Sequence, residues 1–185
     1  IGALSDGSST FSIRMTGKIE QLKHQDYSGK RIHVVISDAQ GSSIETKVDI
    51  GVHNLVSPDL AEICFDLGKL DDAVTILADS NEQVVAEKLR SLLRIGAAST
   101  RYKDVFDIYY LLCKKGVRER ELDDAVRALV IEDPTMRERS YGDIANRLSR
   151  VFGDRRFKRE LSRAKNNWLE ISPDKVTSAI TAYFS

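Results

Sequence analysis

Apolar and polar residues alternate near the start of the chain, where Ser12, Arg14 and Thr16 separate Phe11, Ile13 and Met15. A period of two is that of a strand with one buried face. A second run, Arg31-Ile-His-Val-Val-Ile-Ser37, is rich in β-branched residues and follows the turn-forming Asp26-Tyr-Ser-Gly29. A third runs from Ile44 to Val52, separated from the second by Asp38-Ala-Gln-Gly41, again turn-forming residues. Three strands with short connections predict an antiparallel meander. Ala73-Val-Thr-Ile-Leu77 predicts one more short strand, fully buried, after a loop that holds Pro58.

From about Asn81 the period changes to 3.6. Helices are predicted at about 81–95, 101–115, 118–130, 140–152, 155–169 and 173–184. Their stripes include Leu122, Ala125, Val126 and Leu129, then Phe157, Leu161, Ala164 and Trp168, then Val176, Ala179, Ile180 and Tyr183. Ser172 before Pro173 reads as an N-cap with proline in the first helical position. Strands first and helices afterwards predict an α+β fold, a small mixed or antiparallel sheet followed by a helical bundle. Residues 1–96 are expected to form the sheet-bearing part and 97–185 a helical part packed as one unit with it.

Composition narrows the class. With 42% hydrophobic and 30% charged residues among 185, the chain is neither disordered nor fibrous, and it can bury roughly 70% of its unfolded surface without a disulfide or metal staple. Cys64 and Cys113 belong to no CxxC or Cys/His cluster, so reduced thiols in the cytoplasm are expected. No apolar run approaches about 18 residues, and no membrane segment or signal peptide is read. The 28 basic and 28 acidic residues cancel, which removes a large positive excess as an argument for a nucleic-acid partner. The cancellation is uneven: residues 1–113 carry 12 basic and 16 acidic side chains, and residues 114–165 carry 15 and 10.

Charges inside apolar arcs mark the candidate site. On the helix from Asn81 to Ile95, Lys88 falls between Val84 and Leu92, amid Val85, Leu89 and Leu93. It reads either as a lysine snorkelling its ammonium outward or as a fixed cation at the floor of a cleft. The next helix is apolar nearly all round after its first turn. There Asp104 sits angularly between Ile108 and Leu111, and Asp107 sits with Lys103 and Lys114 on the more polar side. A carboxylate placed like Asp104 needs a cation, a metal or an open cleft. Helix-dipole stabilisation and a Lys103–Asp107 pair at i,i+4 give it a structural reading as well. Asp49 lies opposite Val48 and Ile50 on its strand, on a face that is either solvated or presented to a metal. His24, His33 and His53 show no ligand spacing. Arg155, Arg156, Lys158 and Arg159, with Arg147, Arg150, Arg163 and Lys165, form a basic helical face that is either solvated or tracks a nucleic-acid backbone.

The stretch Ala86-Glu-Lys-Leu-Arg-Ser-Leu-Leu93, followed by Thr100-Arg-Tyr-Lys-Asp-Val-Phe-Asp-Ile-Tyr-Tyr-Leu111, resembles the nucleotidyltransferase toxins of the AbiEii/AbiGii family. These are type IV toxins within the DNA polymerase β-like nucleotidyltransferase superfamily. In that family an EKL helix, a short loop and an R-x-KD-x-x-D helix recur in this order, after a strand ending like Lys47-Val-Asp-Ile-Gly51. The resemblance implies a nucleotidyltransferase-like sheet. It also implies that Asp49 accompanies the metal-binding acids, that Lys88 meets nucleotide phosphates, and that Lys103, Asp104 and Asp107 belong to the active-site helix. Lys88, Asp104 and Asp107 would be catalytic, Lys88 and Lys103 would bind the phosphates of a nucleoside triphosphate, and Asp49 would serve Mg2+ or Mn2+. A cognate antitoxin and an RNA acceptor such as tRNA are the partners implied.

One superfamily element is missing. Gly-Ser followed several residues later by Asp-x-Asp should precede the meander, yet no Asp-x-Asp occurs and Gly7-Ser8 has no acid pair behind it. Since the chain opens on Ile1, the motif is expected upstream; a protein truly starting here would lack its main metal ligands. The expected function is therefore transfer of a nucleotide from a triphosphate to an acceptor. The rivals are a non-catalytic module of the same fold that binds nucleotide or a partner, and a nucleic-acid-binding helical protein using residues Arg155 to Lys165.

Overall fold

A computed structural model describes residues 2–5, 10–23, 27–53, 60–65, 74–165 and 167–185. The chain divides into two compact units, residues 1–58 with 62–76 and residues 59–61 with 77–185. As the residue pattern predicts, the fold is α+β, with strands first and helices after them.

In the first unit β1 (Gly2–Ser5), β2 (Thr10–Lys23), β3 (Tyr27–Ser37) and β4 (Ser43–His53) form an antiparallel sheet in chain order. The predicted meander is present, with β1 added at its edge. Tyr27, Ser28 and Gly29 belong to β3 rather than to a turn; Asp26, like His24, lies outside the described residues. The turn after β3 is built as expected: Asp38 Oδ1 accepts from the amides of Gln40 at 3.0 Å and Ser42 at 2.8 Å. Between Thr16 and Glu20 the register shifts, and Gly17 supplies the positive φ of 70° at that bulge.

The register puts Ile13, Ile36 and Ile44 in one cross-strand row and Met15, Val34 and Thr46 in the next. Ile32, Val48 and Ile50 share their face; Arg14, Arg31, His33, Lys47 and Asp49 share the other. The face predicted to be buried is only partly so among the described residues: Val34 is buried, whereas Met15 and Ile44 are exposed. A second, two-stranded sheet pairs β5 (Leu60–Phe65) with β6 (Val74–Asp79). The strand predicted at 73–77 is therefore real but not buried, with Leu77 64% exposed; a two-stranded ribbon has too little surface to enclose its own side chains.

Six α-helices are described: α1 (Asn81–Ile95), α2 (Tyr102–Tyr110), α3 (Glu119–Val126), α4 (Tyr141–Gly153), α5 (Arg155–Arg163) and α6 (Pro173–Tyr183). Their apolar stripes make one core, with Val85, Leu89, Phe106, Ile108, Ile144, Leu148, Phe157 and Ile180 essentially inaccessible. α1 packs on α2 and α3, α2 on α6, and α4 on α5 and α6. Glu82, buried in the first turn of α1, accepts from the amide of Arg118 at 2.8 Å and so joins α1 to the start of α3.

Three helices end differently from expectation. α2 and α3 each pass into a π-helical turn, Leu111–Lys115 and Arg127–Ile131. The predicted helix 155–169 stops at Arg163. Asn167 explains the stop: its side-chain amide donates to the carbonyl of Ile171 and its backbone amide to that of Ala164, the local bonding by which asparagine competes with a helix. Among the described residues no helix is long and apolar enough to cross a membrane.

Candidate functional site

The site begins with the two ends of α1. Ser80 caps its start, its hydroxyl accepting from the amide of Gln83 at 3.1 Å. At the other end Gly96, at φ 65°, donates its amide to the carbonyl of Leu92. A 3-10 turn, Gly96–Ala98, follows, and Ser99 Oγ accepts from the amide of Arg101 as α2 begins. This short connection folds α2 back onto α1, and the first turns of α2 arrive beside the middle of α1.

Lys88 does not run its ammonium out to solvent. Its Nζ donates to Asp104 Oδ1 at 2.5 Å and to Asp107 Oδ2 at 3.0 Å. Asp107 is the more enclosed carboxylate of the two, although the helical wheel put it on the polar side. Its Oδ2 also receives Lys103 Nζ at 2.8 Å, and its Oδ1 receives Lys103 Nζ and Trp168 Nε1, each at 3.0 Å. The i,i+4 pair of Lys103 and Asp107 thus forms. Arg101 lies 3.9 Å from Asp104 Oδ2.

The electrostatics follow from this geometry. Burial disfavours the ammonium of Lys88, but hydrogen bonds to Asp104 and Asp107, with their charges, outweigh it and raise its pKa. Burial disfavours the Asp107 carboxylate too; the bonds from Lys103 and Lys88, the Lys88 charge and the indole N–H together hold its pKa below the ordinary value. Both groups are ionised at neutral pH. Lys88, Arg101 and Lys103 outnumber Asp104 and Asp107 by one charge. An ammonium has three donors, and Lys88 spends two on these carboxylates, so one remains for an incoming oxygen. The cluster can hold an anion such as a phosphate.

It is poorly made for a metal ion. A carboxylate has about four lone-pair sites, and Asp107 already accepts four hydrogen bonds. No group of three or more His, Cys, Asp or Glu side chains among the described residues could hold an ion. Asp49, in the sheet unit, accepts from Arg31 Nε at 2.7 Å and Arg31 Nη2 at 2.8 Å, a bidentate cross-strand pair.

Within the helical unit the structure gathers Lys88, Lys103, Asp104 and Asp107; Asp49 belongs to β4 of the other unit. Arg155, Arg156, Lys158 and Arg159 are exposed on α5, whose Phe157 meets Tyr102 of α2 edge-on at 5.5 Å. The basic helix is thus fastened next to the first turn of the site's own helix. Trp168 is the residue that sequence reasoning missed, because it fell in step with Phe157 and Leu161 as one more core position. The adjacent Asn166 and Asn167, poor helix formers, were the signal that it leaves the helix.

The chain matches no curated protein and no solved structure at a significant level. Residues 2–177 match the family described as "Nucleotidyl transferase AbiEii toxin, Type IV TA system". A match across nearly the whole length, with the lysine of the EKL segment meeting the KD-x-x-D residues in one cluster, leads to one conclusion: the chain belongs to the AbiEii family of nucleotidyltransferase toxins of type IV toxin–antitoxin systems.

Proposed function

We propose that this protein transfers a nucleotide from a nucleoside triphosphate to an RNA acceptor such as tRNA, with Lys88 binding the triphosphate. The observation that carries the reading is Lys88 itself, held between Asp104 and Asp107 with one donor to spare. In such a transfer an acceptor hydroxyl attacks the α-phosphate and pyrophosphate leaves; a cation fixed in advance stabilises the charge gathered on the phosphate oxygens. Asp104 and Asp107 act by holding that cation in place, and Lys103 adds a second positive charge at the rim. The exposed arginines and lysine of α5, joined to α2 through Phe157, are suited to the phosphate backbone of the acceptor.

Nucleotidyl transfer generally employs Mg2+ or Mn2+, which activates the nucleophile and steadies the leaving group. Among the described residues no group of three or more His, Cys, Asp or Glu side chains could hold such an ion, and the role we give to Lys88, Lys103, Asp104 and Asp107 is to hold phosphate through the fixed lysine cation. The saturation of Asp107 also favours a second reading, a module that binds nucleotide or partner without catalysis. Family membership implies an antitoxin partner, and we place the protein in the cytoplasm, with its nucleotide and RNA.

The test is direct. Full-length protein incubated with each labelled triphosphate, Mg2+ and total RNA should label RNA with at least one nucleotide. Binding of triphosphate with no labelled product under any condition would establish the binding module instead.

A further inference from the structure

Trp168 is the chain's only tryptophan, and 49% of it is exposed. Its polar edge is nevertheless engaged, because Nε1 donates to Asp107 Oδ1. Tyr110 meets the ring edge-to-face, with centroids 5.0 Å apart. The connection that carries it is a succession of tight turns: the amide of Ala164 donates to Leu161, that of Asn167 to Ala164, and that of Glu170 to Asn167. Glu170 adopts φ 54°, a left-handed conformation that costs a non-glycine residue roughly 1–2 kcal/mol. Such a cost is sustained where the surrounding structure over-determines the backbone.

The indole is therefore fixed at its polar edge and against Tyr110, with half its surface in water. Packing alone gives a poor account of that arrangement, since the core rings of Phe106 and Phe157 are almost wholly enclosed. The neighbours of Trp168 are the charges of the lysine site: Lys103 shares Asp107 Oδ1 with the indole, and Lys88 holds the other oxygen. A flat apolar surface thus stands beside cations suited to phosphate, and a nucleotide joins those two chemistries in one molecule.

We propose that Trp168 is the stacking platform for the base of the bound nucleotide, with its ring plane set in advance by the hydrogen bond to Asp107. The proposal rests on the nucleotide-site reading given above. Every base has a π-face, so the platform supplies affinity and orientation and does not choose among bases.

The difference in intrinsic fluorescence between wild type and Trp168→Phe reports from this place. Titration of full-length protein with ATP, GTP, CTP and UTP should quench it in every case, whereas inorganic tripolyphosphate, which has no base, should bind without comparable quenching. Trp168→Phe and Trp168→Ala lose the same N–H donor, so their difference isolates the ring. By calorimetry Trp168→Ala should bind triphosphates about tenfold more weakly than Trp168→Phe, with tripolyphosphate bound equally by both. Equal triphosphate affinities in the two variants would overturn the platform while leaving the lysine site intact. A wild-type protein that binds neither triphosphate nor tripolyphosphate would overturn the nucleotide-site reading and the platform together.

Discussion

Lys88 and Asp104 stand on consecutive helices and meet at 2.5 Å, each less than one-third exposed. Removing one member of a partly enclosed pair leaves the other without its compensating charge, at a cost approaching the 3–5 kcal/mol of a fully buried pair. Lys88→Met is expected to lower unfolding free energy by about 1–3 kcal/mol, because Asp107 keeps Lys103 and Trp168 as partners. Since the two residues touch, a cycle of Lys88→Met, Asp104→Asn and the double variant should show a coupling of about 1–2 kcal/mol in urea unfolding. Strict additivity would mean that the contact does not form in solution.

Asp133 gives a prediction for pH. Its burial disfavours the charge, but hydrogen bonds from the Thr135 hydroxyl and amide and from Arg90 outweigh this and bring its pKa down to about 2. A pKa lower in the folded than in the unfolded state contributes stability that is present above about pH 4 and lost as pH falls towards 2. Asp107, lowered in the same direction, adds to that loss. Asp133→Asn should therefore cost on the order of 1–2 kcal/mol at pH 7, and the difference from wild type should shrink as pH falls from 4 towards 2. Urea midpoints measured across that range check it.

Gly96 controls the turn that returns α2 to α1. At φ 65° an added Cβ is strained, and it would also stand 2.7 Å from Arg147 Nη2. The arginine tip can move aside, so the backbone strain dominates. Gly96→Ala is expected to lower stability by about 1–2 kcal/mol. The same change at Gly116, also at positive φ but with open space around it, should cost only the backbone strain. Thermal melts of the two variants compare them directly.

The side chains of Arg155 and Arg156 are exposed on α5, and the helix keeps its place through buried Phe157 and Leu161. Arg155→Glu with Arg156→Glu should leave the melting temperature nearly unchanged. If the face contacts RNA, the pair should weaken RNA binding and flatten the dependence of log K on log salt by roughly 0.7–0.9 per lost phosphate contact. Unaltered RNA binding would return the face to solvent.

The residue pattern made the helices of the second unit legible wherever an apolar stripe was long, as in α1 from Asn81, or opened on a start signal, as in α6 at Pro173. It also exposed Lys88, because a charge inside such a stripe breaks the period. The relative enclosure of Asp104 and Asp107 was not legible, since angular position on one helix does not say which flank a neighbouring loop will cover. The Trp168 loop supplies that cover from 61 residues away, a contact that local periodicity does not contain. The strands were legible by alternation, but the exposure of Ile44 and Leu77 was not, because alternation reports two faces and not what lies against them. β1 and β5 are short and lack a strong alternating signal, so they went unread.

The measurement closest to the central claim is the rate of nucleotide transfer by full-length protein carrying Lys88→Ala, beside Asp104→Ala and wild type. If Lys88 is the phosphate-binding cation, its loss should lower kcat/KM by about a hundredfold or more, and growth inhibition should fall with it. Asp104→Ala should act in the same direction by releasing the lysine. Full transfer and full toxicity in both variants, with their folding intact, would contradict the account.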